Sequence, residues 1–147
     1  MKINILVVLC LCILFFSCKK SNTVSKTVEQ LLSEKTWKTD ELRMQLSNNS
    51  TQYYKRGGSG NTTNYDSDSL KFNSNNTGVY YFSGVQYNTT WNFTGGDKTK
   101  ITLGINLTPS PITVNLEYVI VTSTTLSYTQ QFTGTLSYLA SVKRIPN

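Results

Sequence analysis

"YNTTWNFTGGDKTKITLGIN" occupies residues 87–106 and consists of two alternating segments joined by a turn. In the first segment, the alternate positions are occupied by Tyr87, Thr89, Trp91 and Phe93. In the second segment, they are occupied by Ile101, Leu103 and Ile105. Successive side chains of a strand point to opposite faces, so each segment predicts a strand with one buried face. The sequence "GGDK" between them supplies turn residues. Together they predict an antiparallel hairpin.

The same alternation recurs on both sides of this hairpin. Six further strands are predicted around Leu42–Leu46, Leu70–Phe72, Val79–Val85, Val114–Ile120, Leu126–Phe132 and Leu136–Val142. Eight amphipathic strands in succession, joined by turns rich in Asn, Gly, Ser and Thr, predict an all-β meander. A meander leaves two unpaired edges unless its ends meet, which favours closure into an up-and-down barrel. At eight strands the interior has room for side chains or for one small ligand.

Two segments depart from this pattern. Val24, Val28, Leu31 and Leu32 have helical spacing and predict a short N-terminal helix over about 24–34. Residues 47–68 are rich in Asn, Ser, Gly and Thr and predict a long loop or a frayed hairpin.

The first residues have the parts of a secretory signal. Lys2 precedes an apolar run from Ile5 to Phe16, which is shorter than the roughly 20 residues that span a bilayer. The junction Ser17–Cys18 resembles the lipobox of bacterial lipoproteins, in which the cysteine is acylated. We therefore expect a signal peptide over 1–17, a lipidated tether over 18–26 and a barrel domain over 27–147.

Four longer motifs extend this resemblance over most of the remaining chain. They are "LLSEKTWK" (31–38), "LKFNSNNTGVYYF" (70–82), "TWNFTGGDKTKITL" (90–103) and "YVIVTSTTLSY" (118–128). Their order resembles the lipocalin-like domain lipoproteins of Bacteroidetes. The glycine that precedes the first-strand tryptophan of lipocalins is absent here, since Lys35 and Thr36 precede Trp37.

The resemblance implies a lipocalin-like eight-stranded barrel held on a membrane by its N-terminal lipid. Lys19 is not the aspartate that retains lipoproteins in the inner membrane, and no acidic surface-export run follows Cys18. We therefore expect the periplasmic face of the outer membrane, with the cell surface as the alternative.

Composition excludes several classes of chemistry. The chain has no histidine, and Cys18 is the one cysteine beyond the apolar run, which excludes Cys–His and Ser–His catalysis and zinc sites built on these ligands. The sequence predicts no enzyme, catalytic residue, metal or cofactor. The formal net charge of +6 is spread over the tether and the C-terminus and predicts a solvated surface, not a nucleic-acid partner. The basic residues concerned are Lys19, Lys20, Lys26, Lys143 and Arg144.

The acidic residues suggest a turn. Asp66 and Asp68 resemble the start of a calcium loop, but Ser69 and Asn75 occupy the positions that need glycine and glutamate. A solvated turn is therefore predicted. The sequence "DSL" at 68–70 also resembles an O-glycosylation acceptor of Bacteroidetes, which would place sugar on Ser69.

Seven residues are the candidates for the barrel interior. They are Trp37, Trp91, Phe93, Tyr118, Tyr128, Gln130 and Tyr138. One interpretation is that the aromatic rings fill the barrel. The other is that the tyrosine hydroxyls and Gln130 surround a cavity for a small hydrophobic ligand.

Two functions are compatible with this sequence. The first is a lipid-anchored envelope lipoprotein, either binding a small apolar or amphipathic molecule or serving structurally. The second is a protein-interaction module, such as an inhibitor, an immunity-like protein or an assembly factor, that uses residues 47–68.

Overall fold

The computed structural model of the chain describes residues 25–132 and 137–147. The predicted signal peptide over 1–17 and Cys18 lie outside these ranges, so their roles stay predictions. The described elements are α1 (Val28–Ser33), β1 (Thr36–Leu46), β2 (Thr51–Lys55), β3 (Ser69–Phe72), β4 (Thr77–Phe82), β5 (Val85–Phe93), β6 (Ile101–Ile105), β7 (Ile112–Val121), β8 (Leu126–Phe132) and β9 (Tyr138–Pro146).

Eight of these strands close into an antiparallel barrel. Strands β3 to β9 pair in chain order, and β9 returns to pair with β1 along residues 37–46. The other edge of β1 is shared, because residues 36–38 pair with β3 and residues 41–45 pair with the additional strand β2. The predicted eight-stranded up-and-down barrel with a short N-terminal helix is therefore confirmed.

Strand β2 forms in part of the segment that was expected to be a loop or frayed hairpin. Its Tyr54 is fully buried, which gives the strand an inward anchor. The outer edge of β2 is covered by its own chain, since Thr62 donates its backbone N–H to the Tyr53 carbonyl. After β2, Arg56 Nε donates to the Thr39 carbonyl at 2.8 Å, and its Nη atoms donate to the Asp66 carbonyl at 3.2 Å. These bonds hold the connection to β3 against the barrel.

Two β-bulges change which residues face inward. In β1 the register shifts between Thr39 and Glu41, so that Trp37 and Leu42 are both buried although they are five positions apart and would face opposite sides in a regular strand. In β7 the register shifts between Glu117 and Ile120. Because of these shifts, each strand keeps apolar side chains in the core on both sides of its bulge, although inward-facing and outward-facing residues do not alternate regularly across it.

The second bulge contradicts the prediction for Tyr118. This residue has φ of 54°, and its side chain is 73% exposed, whereas the neighbouring Val119 is buried. The prediction assumed a continuous alternation through Val114, Leu116, Tyr118 and Ile120. The extra residue at the bulge moves Tyr118 and Ile120 to the outer face.

Helix α1 closes one end of the barrel. Thr27 caps it in a reciprocal capping box with Gln30, which explains why the helix begins at Val28 and not at the predicted residue 24. Leu32 is fully buried, and its carbonyl accepts a hydrogen bond from Trp37 Nε1 at 2.9 Å. No helix in residues 25–132 and 137–147 is long and apolar enough to cross a bilayer.

Candidate functional site

A cavity of about 250 Å³ occupies the half of the barrel that is remote from α1. Its walls are aliphatic and include Leu42, Ile105, Val114 and Val142. Its rim consists of residues that flank the turns at the end opposite the helix, namely Tyr65, Phe82, Tyr87, Leu107, Ile112 and Tyr138. The cavity therefore has apolar side walls and opens between aromatic and aliphatic side chains.

The inner end of the cavity is polar. It is lined by Asp68, Tyr80, Gln130 and Arg144. A smaller space of about 30 Å³ continues beyond it and shares Tyr80, Gln130 and Arg144 with the main cavity. These four residues, which we call the polar floor, separate the cavity from the packed core near α1.

An ion pair organises the polar floor. Arg144 Nη1 lies 2.6 Å from Asp68 Oδ1, and the two residues are only 4% and 1% exposed. Asp68 also accepts hydrogen bonds from the hydroxyls of Thr39 at 2.6 Å and Tyr80 at 2.7 Å. Arg144 also donates from Nε to the Tyr128 hydroxyl at 2.9 Å and from Nη1 to the Trp37 carbonyl at 3.2 Å. Both charges are thus paired and hydrogen-bonded, as buried charges must be.

Burial controls the protonation of this cluster. It raises the pKa of the Tyr80 phenol, and the charge of Asp68 raises that pKa further. Burial also raises the pKa of Tyr128, although Arg144 opposes that shift. Burial alone would lower the pKa of Arg144, but the charge of Asp68 together with the neighbouring Tyr128 and Tyr80 raises the pKa above its ordinary value. The floor therefore holds neutral phenols beside one cation and one anion at neutral pH.

The seven candidate interior residues lie at different depths. Gln130 and Tyr138 line the main cavity, where Gln130 Nε2 donates to the Tyr138 hydroxyl. Tyr128 lines the small space beyond the floor. Tyr118 lies outside the barrel because of the β7 bulge. Three of the seven therefore line internal space.

The remaining three candidates belong to the packed core. Trp37 is fully buried against α1. Trp91 is buried between Phe72 and Phe93, with ring centroids 5.3 and 5.6 Å away, and its Nε1 donates to the Asn73 and Thr77 carbonyls. Phe93 is half-buried. Packed aromatic rings and a cavity lined by Gln130 and Tyr138 thus occur at different levels of the barrel.

Two residues of the polar floor differ from what the sequence predicts. The solvated turn predicted for Asp68 and the solvated surface predicted for Arg144 are both wrong, because each side chain is buried and paired with the other. A signal was present in the alternation. Asp68 is in phase with Leu70 and Phe72, and Arg144 is in phase with Ala140 and Val142.

The two neighbouring aspartates have separate partners. Asp66 accepts a hydrogen bond from the Tyr54 hydroxyl at 2.6 Å, whereas Asp68 binds Arg144. Within residues 25–132 and 137–147, no group of three or more His, Cys, Asp or Glu side chains is placed to hold a metal ion. Ser69, the predicted glycosylation site, is a half-buried residue of β3 that pairs with Lys38 and Tyr81. Its modification stays a prediction.

Comparison of the chain with protein-family models, with curated proteins and with solved structures found no match in any of the three.

Proposed function

We propose that this protein is a lipid-anchored envelope lipoprotein whose barrel binds a small apolar or amphipathic molecule. The observation that carries the binding half is the internal cavity of about 250 Å³. An engineered apolar cavity of roughly 150 Å³ is large enough to bind benzene, so this space can hold a larger molecule. Apolar walls with a few convergent polar groups are typical of ligand sites.

The position of α1 determines how a lipid anchor would orient the barrel. Residues 25–27 lead directly into α1, which closes one end of the barrel, and the cavity opens at the other end. A chain tethered through Cys18 would therefore present the cavity mouth away from the membrane. Two acyl chains on one cysteine are the kind of double anchor that holds a domain stably on a bilayer.

Native mass spectrometry of the full chain, purified from its source membrane, tests ligand binding. We expect a population that carries one additional small organic molecule. The variant Ile112→Trp fills the cavity rim and should lose this molecule, because Ile112 lines the cavity. The matched control is Thr113→Trp, since Thr113 is the next residue of β7 and is exposed. Identical spectra for the wild type and Ile112→Trp would contradict binding in the cavity.

Cell fractionation tests the anchor separately. The full chain should partition with the outer membrane, and the Cys18→Ala variant should not. Recovery of Cys18→Ala in the membrane fraction would contradict acylation at this residue. Protease treatment of intact cells distinguishes the two faces, because we expect a protein on the periplasmic face to be protected.

The alternative function, a protein-interaction module built on residues 47–68, has weaker support. Part of this segment is β2. After β2, the Arg56 side chain donates hydrogen bonds to the Thr39 carbonyl of β1 and to the Asp66 carbonyl of the loop before β3, so this loop is held against the barrel. The exposed residues of the segment are 47–51, 57–62, 64, 66 and 67, and residues 57–62 form a continuous exposed tip after β2. A crosslinked partner that is lost when this tip is replaced, with no change in bound small molecule, would favour the alternative.

A further inference from the structure

We propose that the cavity selects a ligand with an uncharged head group that both donates and accepts a hydrogen bond, such as a medium-chain alcohol. A carboxylate or an ammonium of the same chain length is excluded. This inference rests on the proposed function and names the class of ligand. It depends on the charge and the hydrogen-bonding capacity of the polar floor.

The floor offers no net charge to a ligand. Of the residues that line the cavity, Asp68 and Arg144 carry the charges, and they neutralise each other through their 2.6 Å contact. Both are also tied to the barrel wall, Asp68 through Thr39 and Tyr80 and Arg144 through Tyr128 and Trp37. A charged head would therefore have to break this network or remain unneutralised.

Two polar atoms of the floor retain hydrogen-bonding capacity. Arg144 donates through Nε and Nη1, but its Nη2 atom has no acceptor among the described residues. Gln130 donates through Nε2 to Tyr138, but its Oε1 atom has no donor among those same residues. Both side chains line the main cavity and the small space beyond it. The floor thus presents one donor group and one acceptor to the same internal space.

A hydroxyl group matches this pair. Its oxygen can accept from Arg144 Nη2, and its hydrogen can be donated to Gln130 Oε1. The alkyl chain would then lie between Leu42, Ile105 and Val114 on its way to the cavity rim. The hydroxyl would then both accept and donate a hydrogen bond, and the apolar chain would be removed from water.

A charged head fits worse for two reasons. Transfer of an unpaired ion from water into a protein interior costs several kcal/mol even after relaxation. In addition, the polar floor cannot neutralise such an ion, because its attraction to one member of the Asp68–Arg144 pair is offset by its repulsion from the other.

Thermal unfolding of the full chain in lipid nanodiscs tests the selection, because a ligand that binds only the folded state raises the unfolding midpoint. The probes are 1-octanol, octanoate and octylamine at equal free concentrations. The Ile112→Trp variant corrects for effects of the probes on the lipid. We expect octanol to stabilise the wild type, with an apparent affinity at least tenfold above those of octanoate and octylamine, and not to stabilise Ile112→Trp.

Each other outcome has a distinct meaning. Octanoate or octylamine binding as tightly as octanol would overturn the selection and leave the proposed function standing. Equal shifts in the wild type and in Ile112→Trp for all three probes would contradict binding in the cavity, and with it the proposed function.

Substitution of Gln130 tests the position of the head group. Gln130→Leu removes the acceptor and should lower the affinity for octanol at least fivefold while leaving that for octane unchanged. Gln130→Glu adds an unpaired negative charge to the cavity wall and should shift the preference toward octylamine. An affinity for octanol that is the same in Gln130→Leu and in the wild type would overturn the placement of the hydroxyl.

Discussion

Asp68 and Arg144 illustrate how much the environment of a single residue controls its role. The two side chains lie far apart in the sequence, yet they form the most buried ion pair of the described chain. A buried pair adds little stability relative to apolar residues of the same shape, but removal of one partner leaves an uncompensated charge. The pair is therefore expected to matter more for the geometry of the floor than for net stability.

This reasoning predicts the behaviour of substitutions in the pair. Asp68→Asn and Arg144→Met should each lower the free energy of unfolding by about 3–5 kcal/mol, because each leaves one buried charge without its partner. The double variant should lose less free energy of unfolding than the two single variants lose together, because both charges are then absent. Urea unfolding of all four proteins measures the coupling. Strictly additive losses would contradict an interacting pair.

Thr89 provides the opposite case, a buried hydroxyl without a partner. Its Oγ1 atom has no hydrogen-bond partner in the part of the chain that the structure describes, and the residue lies opposite Gly78 in β4 and Ile105 in β6. Burial of an unpaired hydroxyl costs about 1–3 kcal/mol by mutational measurements. Thr89→Val should therefore raise the free energy of unfolding by about 1 kcal/mol.

The neighbouring threonine supplies the control for this prediction. Thr90 is exposed, so Thr90→Val should change the free energy of unfolding by less than about 0.5 kcal/mol. A loss of stability in Thr89→Val would show that the hydroxyl has a partner in solution, such as a buried water.

At the scale of elements, the β7 bulge sets the shape of the strand. Val114 and Leu116 face inward before it, and Val119 faces inward after it. The bulge places Tyr118 at φ of 54°, a conformation that costs a residue with a Cβ atom about 1–2 kcal/mol. Tyr118 has no burial to offset this cost, because its ring is largely exposed.

The strain can be relieved by glycine. Tyr118→Gly should raise the free energy of unfolding by about 0.5–1 kcal/mol, since glycine adopts positive φ without a steric penalty. Ile120→Gly is the control, because Ile120 is exposed on the same strand and is not among the residues with positive φ. That variant should lose about 0.5–1 kcal/mol. Equal losses in the two variants would contradict a strained Tyr118.

The bulges mark the limit of what alternation in the sequence can predict. Alternation predicted the existence and the inward face of most strands, because a one-residue slip would expose the whole apolar set. It could not locate an inserted residue, and so Tyr118 was placed in the interior. Strand β2 was missed as a defined strand for another reason, since its Asn- and Ser-rich flanks resemble a loop and its burial depends on the barrel around it.

Closure of the barrel explains why the polar floor could not be found from local sequence. Asp68 lies just before β3 and Arg144 lies near the end of β9, and they meet because both strands pair with β1. The hydrogen-bond partners of the floor come from β1, β4 and β8 as well. A buried charge is favourable only when its partner is also present. Asp68 and Arg144 become partners only when the barrel closes, so neither local sequence predicts the pair.

The closed ring also gives the molecule a distinct response to alkaline pH. Burial raises the pKa of Tyr80 and Tyr128 in the folded state, and burial together with the hydrogen bond to Asp66 raises that of Tyr54 to about 12. In the unfolded chain these phenols titrate near pH 10. Above that pH the unfolded state loses protons that the folded state retains. The free energy of unfolding must therefore fall as pH rises.

We expect these phenols to leave the free energy of unfolding unchanged below about pH 9 and to lower it as the pH rises above about 10. Each buried tyrosine contributes a slope of about 1.4 kcal/mol per pH unit until the pH reaches its folded-state pKa. Urea unfolding at pH 8, 10, 10.5 and 11 measures this slope. In Tyr80→Phe the free energy of unfolding at pH 8 should fall, because the hydrogen bond to Asp68 is lost. Above pH 10, however, its decline with pH should be less steep than in the wild type by the slope that one buried tyrosine contributes. Parallel declines in the wild type and in Tyr80→Phe would contradict a neutral, buried Tyr80 at the floor of the cavity.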